Sequence, residues 1–199
     1  PNSDAVHISL MRQAGGILLG KTVTTEFATF KGGKTRNPRN PEYTPGGSSS
    51  GSAAAVADEM IPLATGSQTA ASVIRPAAFC GVVGYKPTYG KISLGGAKSL
   101  SPSLDTLGSF SRTVEDAALC VAVMSGDTEL AKIETLGKKP RIATCLTYDA
   151  HLASADTVAA IAHAALLAED LFKTSVPEIK LPAMFKKMSE LQGRIMWSE

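Results

Sequence analysis

Residues Thr44–Ser93 read TPGGSSSGSAAAVADEMIPLATGSQTAASVIRPAAFCGVVGYKPTYGKIS, and within them the run GGSSSGS, Gly46–Ser52, has the composition of a flexible linker. A linker should lead into polar, low-complexity chain. This one leads into AAAVADEM (Ala53–Met60), which is helix-forming, made mostly of small residues and nearly uncharged, so it has to be buried. Small side chains on both sides predict that backbone approaches something closely there. IPLATGSQTAAS continues as a short strand running into a second segment of tiny residues. GVVGYKPTYGKISL then reads as strand, proline-bearing turn and strand.

Upstream, DAVHISLMRQAGG predicts a short helix capped by Asp4 or Ser3, with Val6, Leu10 and Ala14 on one face and a stop at Gly15. GILLGK is a continuous apolar run, as expected of a strand covered on both faces. Lys31–Pro45, with Pro38, Pro41 and Pro45, predicts an irregular loop that delivers the chain to the serines. Downstream, TVEDAALCVAVMSG has a capping-box start at Thr113 with Asp116 and a glycine stop at Gly126. RIATCLTY, ADTVAAIAHAALLAEDLF and EIKLP read as strand, helix and strand, with Val158, Ile161, Ala165, Ala168 and Phe172 lining the helix's inner face. Strands alternating with helices predict an α/β layered fold whose sheet is mixed and largely parallel, with helices on both faces.

The 199 residues are 44% apolar and 19% charged, with a net charge of +2 and no basic stripe, so nothing points to nucleic acid. The longest apolar run, Ala117–Met124, is far shorter than the roughly 20 residues that span a bilayer. Cys80, Cys120 and Cys145 are odd in number and lack CxxC spacing. They predict buried thiols in a reducing, cytoplasmic setting, with no disulfide framework, metal or other cofactor.

Two local motifs mislead. Gly15, Gly20, Lys21 and Thr22 fit the P-loop pattern letter for letter. The mechanism needs a permissive loop before a helix that starts at the lysine, and Ile17, Leu18 and Leu19 belong inside a strand instead. GSSSG centres Ser49 in a nucleophile-elbow pattern. An elbow follows a strand, however, and NPEYTP precedes this one; no histidine is suitably placed for a triad.

Taken whole, Thr44–Ser93 resembles the signature of the amidase signature family: a Gly/Ser-rich loop with an alanine helix, a small-residue segment ending in serine, then Arg-Pro-Ala and GYKPTYG. ILLGKTVTTEFA, SPSLDTLGSFSRTVEDAALCVAVMSG and RIATCLTYDAHL also resemble family segments, in the family's order. The wording TAASVIRPAAFCGVVGYKP is most similar to malonamidase-type members. The resemblance implies an amide hydrolase that works through a seryl acyl-enzyme with a serine, cis-serine and lysine. The alternative is the glutaminase subunit of an amidotransferase, delivering ammonia to a partner, or a catalytically inactive homologue.

Carried over residue by residue, the nucleophile matches Ser72 and the bridging serine, which follows a cis peptide in the family, matches Ser48. A serine hydroxyl needs a base within hydrogen-bond reach, and a second hydroxyl can relay its proton to a desolvated, neutral lysine. Ser49 and Gln68 support the loop and the nucleophile segment, and the backbone N–H groups of Thr69, Ala70, Ala71 and Ser72 form the oxyanion hole. Arg75 is either a structural ion pair at a helix start or the ligand of a substrate carboxylate, which would favour a small acidic amide. Lys86 belongs to the scaffold.

The match departs in places. Gln68 stands where many members have Asp, and Ala71 where the family usually has Gly. The family's catalytic lysine lies upstream of LLGKT, and Lys21 is not its equivalent. Residues 1–199 are therefore expected to be a single amidase-signature domain, a fragment without the lysine segment and the C-terminal half, and inactive alone. The expected partner is a small-molecule amide, with no membrane and no direct nucleic-acid contact; a homo-oligomer is left open.

Overall fold

The structure, a computed structural model, describes residues 2–29, 31–133 and 137–199. Two compact units emerge: Pro1–Ile133 with Arg194–Glu199, and Glu134–Gly193. The first holds α1 (Val6–Gln13), α2 (Ser50–Ala57), β1 (Leu63–Gln68), α3 (Ile74–Cys80), β2 (Val83–Tyr85), β3 (Thr106–Ser111) and α4 (Val114–Ser125). The second holds α5 (Ala155–Phe172), and α6 (Met188–Ser198) begins in it.

The sheet of the first unit has the order β1-β3-β2, with both pairings antiparallel. This corrects the largely parallel sheet expected from the alternation of elements. β1 and β2 do run the same way, as two strands joined through a helix should, but β3 is inserted between them. It pairs Leu63 with Ser111 through to Gln68 with Thr106 on one side, and Val83 with Ser111 on the other. A strand sheltered by two neighbours and two helical layers reads as continuously buried, and all six residues of β3 are.

Alternation along the strands sends side chains to two cores. Ala64 and Phe110 join Ala53, Val56 and Ala57 of α2 and Val73, Ala77 and Cys80 around α3. Leu107 joins Cys120, Val121 and Met124 of α4 on the opposite face, with Met11 of α1 packed against them. Helices thus cover both faces, as expected. Close approach there depends on missing side chains: a Cβ at Gly84 would lie 2.5 Å from that of Ala77.

Several local readings shift. α1 is present, but its N-cap is Ala5 without a side-chain bond, and it buries His7 rather than the Val6 face. α2 begins at Ser50, not Ala53, so the serines are helix as well as loop. Residues 17–21 form no strand, and Ile17 and Leu19 are exposed. Among the described residues the flanks of α5 contribute only the parallel bridge between Thr144 and Glu178, and α5 itself buries none. α4 keeps its expected ends: Asp116 N–H donates to the Thr113 hydroxyl, and Gly126 is left-handed. Of the free thiols, Cys80 and Cys120 are buried and Cys145 is half-buried; burial pushes Cys120 up to about 11.

Candidate active site

The Lys31–Pro45 loop reaches the serines by being stapled to α3. Asn37 donates from Nδ2 to the Phe79 carbonyl at 2.8 Å, and Arg39 from Nε to that of Cys80 at 3.2 Å. The Gly47–Ser48 peptide that follows is cis. The four serines of GGSSSGS are all buried, which ends the linker reading, yet their hydroxyls have different fates. Ser49 donates to the Ser67 carbonyl at 3.4 Å, Ser50 to Val23 at 3.2 Å and Ser52 to Thr65 at 2.8 Å. These bonds fasten the start of α2 to β1 and to the extended chain at Val23. Among the described residues the Ser48 hydroxyl has no hydrogen-bond partner. Ser48 lines a cleft of about 220 Å³ with Thr22, Ser67, Lys98, Asp105 and His7.

The second serine segment leaves β1 through a turn held by Gln68. Its Oε1 accepts from Val73 N–H and Ile74 N–H, both at 3.0 Å, and its Nε2 donates to the Ala70 carbonyl at 2.8 Å. Gln68 therefore caps α3 from the end of a strand, satisfying N–H groups that helix starts leave orphaned. An amide supplies both donor and acceptor here, which a carboxylate would not. Thr69 donates its hydroxyl to Asp105 at 2.5 Å, and Asp105 also accepts from Ser99 Oγ, Leu100 N–H and Ser101 N–H. Burial works against the Asp105 charge, but these four bonds outweigh it and hold the carboxyl below its ordinary range. Asp105 lay within a segment that resembled the family, but its role in fixing Thr69 was not legible from sequence.

Ser72 is buried at 8% exposure, and its hydroxyl too has no partner among the described residues. The backbone N–H groups of Ala70, Ala71 and Ser72 likewise find no acceptor among those residues, while Ala71 is half-buried and Ala70 exposed. Ala71 is not among the residues with left-handed φ, so an alanine there carries no backbone strain. The two serine segments meet through the Ser49 N–H, 3.4 Å from the Ser72 carbonyl. The hydroxyls of Ser48 and Ser72 are not bonded to each other in this structure.

Arg75, the second residue of α3, lies one helical turn past Ser72. Among the described residues it forms no ion pair; its Nε and Nη2 both donate to the Gly47 carbonyl, at 3.0 and 2.9 Å. Lys86 donates to the Pro87 carbonyl at 2.6 Å. The histidines, dismissed on sequence, include one beside the serines. His7 lines the Ser48 cleft, 6% exposed, with Nδ1 unpartnered among the described residues, and burial lowers its pKa so that the ring is held neutral. Its only sequence signal is that it lies one turn before Met11, on the face α1 turns inward. Among the described residues no group of acidic, histidine or cysteine side chains is arranged to hold a metal ion, and no helix is long and apolar enough to cross a membrane.

Comparison with known proteins gives this geometry a context. A family model described as Amidase matches residues 1–157. A glutamyl-tRNA(Gln) amidotransferase subunit from Salinibacter ruber is 50% identical over 132 residues, covering 63% of this chain and 26% of that protein. The Akkermansia muciniphila protein of the same name is 50% identical over 129 residues, covering 62% and 27%. Among solved structures, the Thermotoga maritima protein of that name superposes with a TM-score of 0.83 at 31% identity, over 98% of this chain and 47% of that one. The peptide amidase of Stenotrophomonas maltophilia gives 0.80 at 31% identity, over 96% and 44%. The chain spans about a quarter of the length of these curated relatives and under half of these structural neighbours.

Proposed function

This chain belongs to the amidase family, and from that membership we propose that it carries the serine half of an amide-cleaving centre. Ser72 attacks the substrate carbonyl. Its proton passes to Ser48, whose own proton passes to a neutral lysine contributed from outside these residues. Negative charge on the carbonyl oxygen is met by the backbone N–H groups of Thr69, Ala70, Ala71 and Ser72. Collapse of the tetrahedral intermediate expels the amine, which takes up the proton, and water then releases the acyl group from Ser72. One observation carries this reading: among four clustered, buried serines, only Ser48 has a hydroxyl without a partner among the described residues, on a loop bonded to the segment of Ser72. The two hydroxyls come together when substrate and base complete the site, since catalytic hydrogen bonds are often long without them.

The whole protein is best read as the amidotransferase component that frees ammonia for a partner subunit. Relatives carrying the amidotransferase name are 46–50% identical over 128–139 residues. A free-standing amidase is the second reading, favoured by the likeness to a peptide amidase. Recovery of a partner with the full-length protein, and ammonia release that depends on it, supports the first; full turnover alone supports the second. The cytoplasmic setting inferred from the cysteines belongs to this same reading.

A carboxylate-free fluorophosphonate tests the chemistry. In the full-length protein it should label Ser72, and Ser72→Ala should abolish labelling. Ser48→Ala should slow it by about 10²- to 10⁴-fold, and Ser50→Ala should leave it within about threefold, as its bond to Val23 is structural. Label on Ser49, or an unaltered rate in Ser48→Ala, contradicts the assignment.

A further inference from the structure

Resting on the reading of Ser48 as the proton relay, we propose that Arg75 is a positioning residue: its guanidinium holds the Gly47 carbonyl and so aims the Ser48 hydroxyl, rather than binding a substrate carboxylate. The Nε–Nη2 edge is the one that forks a carboxylate side-on, and here both donors converge on a single main-chain oxygen. Capture of a substrate carboxylate through that edge would require releasing Gly47.

The surroundings make this carbonyl a fixed point. On the other side of Ser48, its own carbonyl accepts from Thr25 N–H at 2.9 Å and Ser50 N–H at 2.8 Å. Gly47 is pressed against Thr25 so closely that a Cβ would lie 2.6 Å from the threonine methyl. A Cβ at Gly46 would lie 3.0 Å from Pro76 Cα, so the start of α3 abuts the loop directly. Gln68 in turn holds that helix start through Val73 and Ile74. The peptide carbonyls before and after Ser48 are thus both tied, one to α3 through Arg75 and one to Thr25, leaving the side chain of Ser48 as the free group. A lysine at this position would offer a compact ammonium in place of a planar fork.

The test uses the full-length protein, with the carboxylate-free fluorophosphonate and the pair glutamine and an uncharged primary amide. A positioning role predicts that Arg75→Gln slows labelling of Ser72 by about 10- to 100-fold, as a small misplacement of a reacting group does. It also predicts that kcat falls by a similar factor on both amides while KM changes little, and that Arg75→Lys stays slow on both despite keeping its charge. Thermal melts identify the variants that fold; if Arg75→Gln does not, Arg75→Lys carries the comparison. Normal labelling in a folded variant, with loss confined to glutamine through a raised KM, overturns the proposal in favour of carboxylate recognition. Absence of labelling in the wild-type protein instead overturns the serine mechanism on which the proposal rests.

Discussion

At the scale of single residues, the site is a division of labour among similar groups. Three hydroxyls of the serine loop are spent on carbonyls of β1 and of Val23, and a fourth is kept. Two titratable residues facing the same cleft tie the fold to pH. His7 is neutral in the fold because burial lowers its pKa, so the unfolded chain binds more protons below its ordinary value. Stability should therefore begin to fall below about pH 6.5. Asp105 is depressed by its four hydrogen bonds in spite of burial, so its contribution is complete above about pH 3.9 and is lost as pH falls through the lower folded value. Urea titrations across pH should resolve two acid steps, with His7→Leu removing the upper one and Asp105→Asn the lower. A single step surviving both substitutions would show that neither group governs acid stability.

At the scale of elements, the seam between β1 and α2 is set by what is absent. A Cβ at Gly66 would lie 2.6 Å from Ser49 Oγ and 2.7 Å from Phe110, on the face where the serine loop is bonded to the strand. Gly66→Ala should cost about 1–3 kcal/mol through overpacking, read as a lower denaturant midpoint. Gly137, with nothing within 4 Å, should tolerate alanine without such loss. Elements whose ends carry local chemistry were legible: α4 from its Thr113 cap and Gly126 stop, and α5 over its full length. Elements that depend on neighbours were not. The apolar run at Ile17–Leu19 has the composition of a covered strand but no pairing partner among the described residues, and it remains irregular and exposed.

At the scale of the whole molecule, the two units differ in how much they bury. α4 buries six residues, while α5 buries none among those described. Amide exchange in the chain should therefore be slow along α4 and β3 and faster by orders of magnitude along α5, as sparse burial predicts; equal protection would contradict the exposed α5 face. What the amino-acid order determined by itself was family membership and local conformation: the signature span, the cap and stop of α4, and the small residues that let segments approach. Those depend on neighbours a few positions apart, whose chemistry the letters state directly. Only tertiary structure decided that β3 enters between β1 and β2, that Gln68 caps the helix bearing Arg75, and that Arg75 turns to Gly47. It also decided that His7 reaches the Ser48 cleft. Each of these joins residues distant in the chain, where a donor finds whichever acceptor the packing brings within about three ångströms.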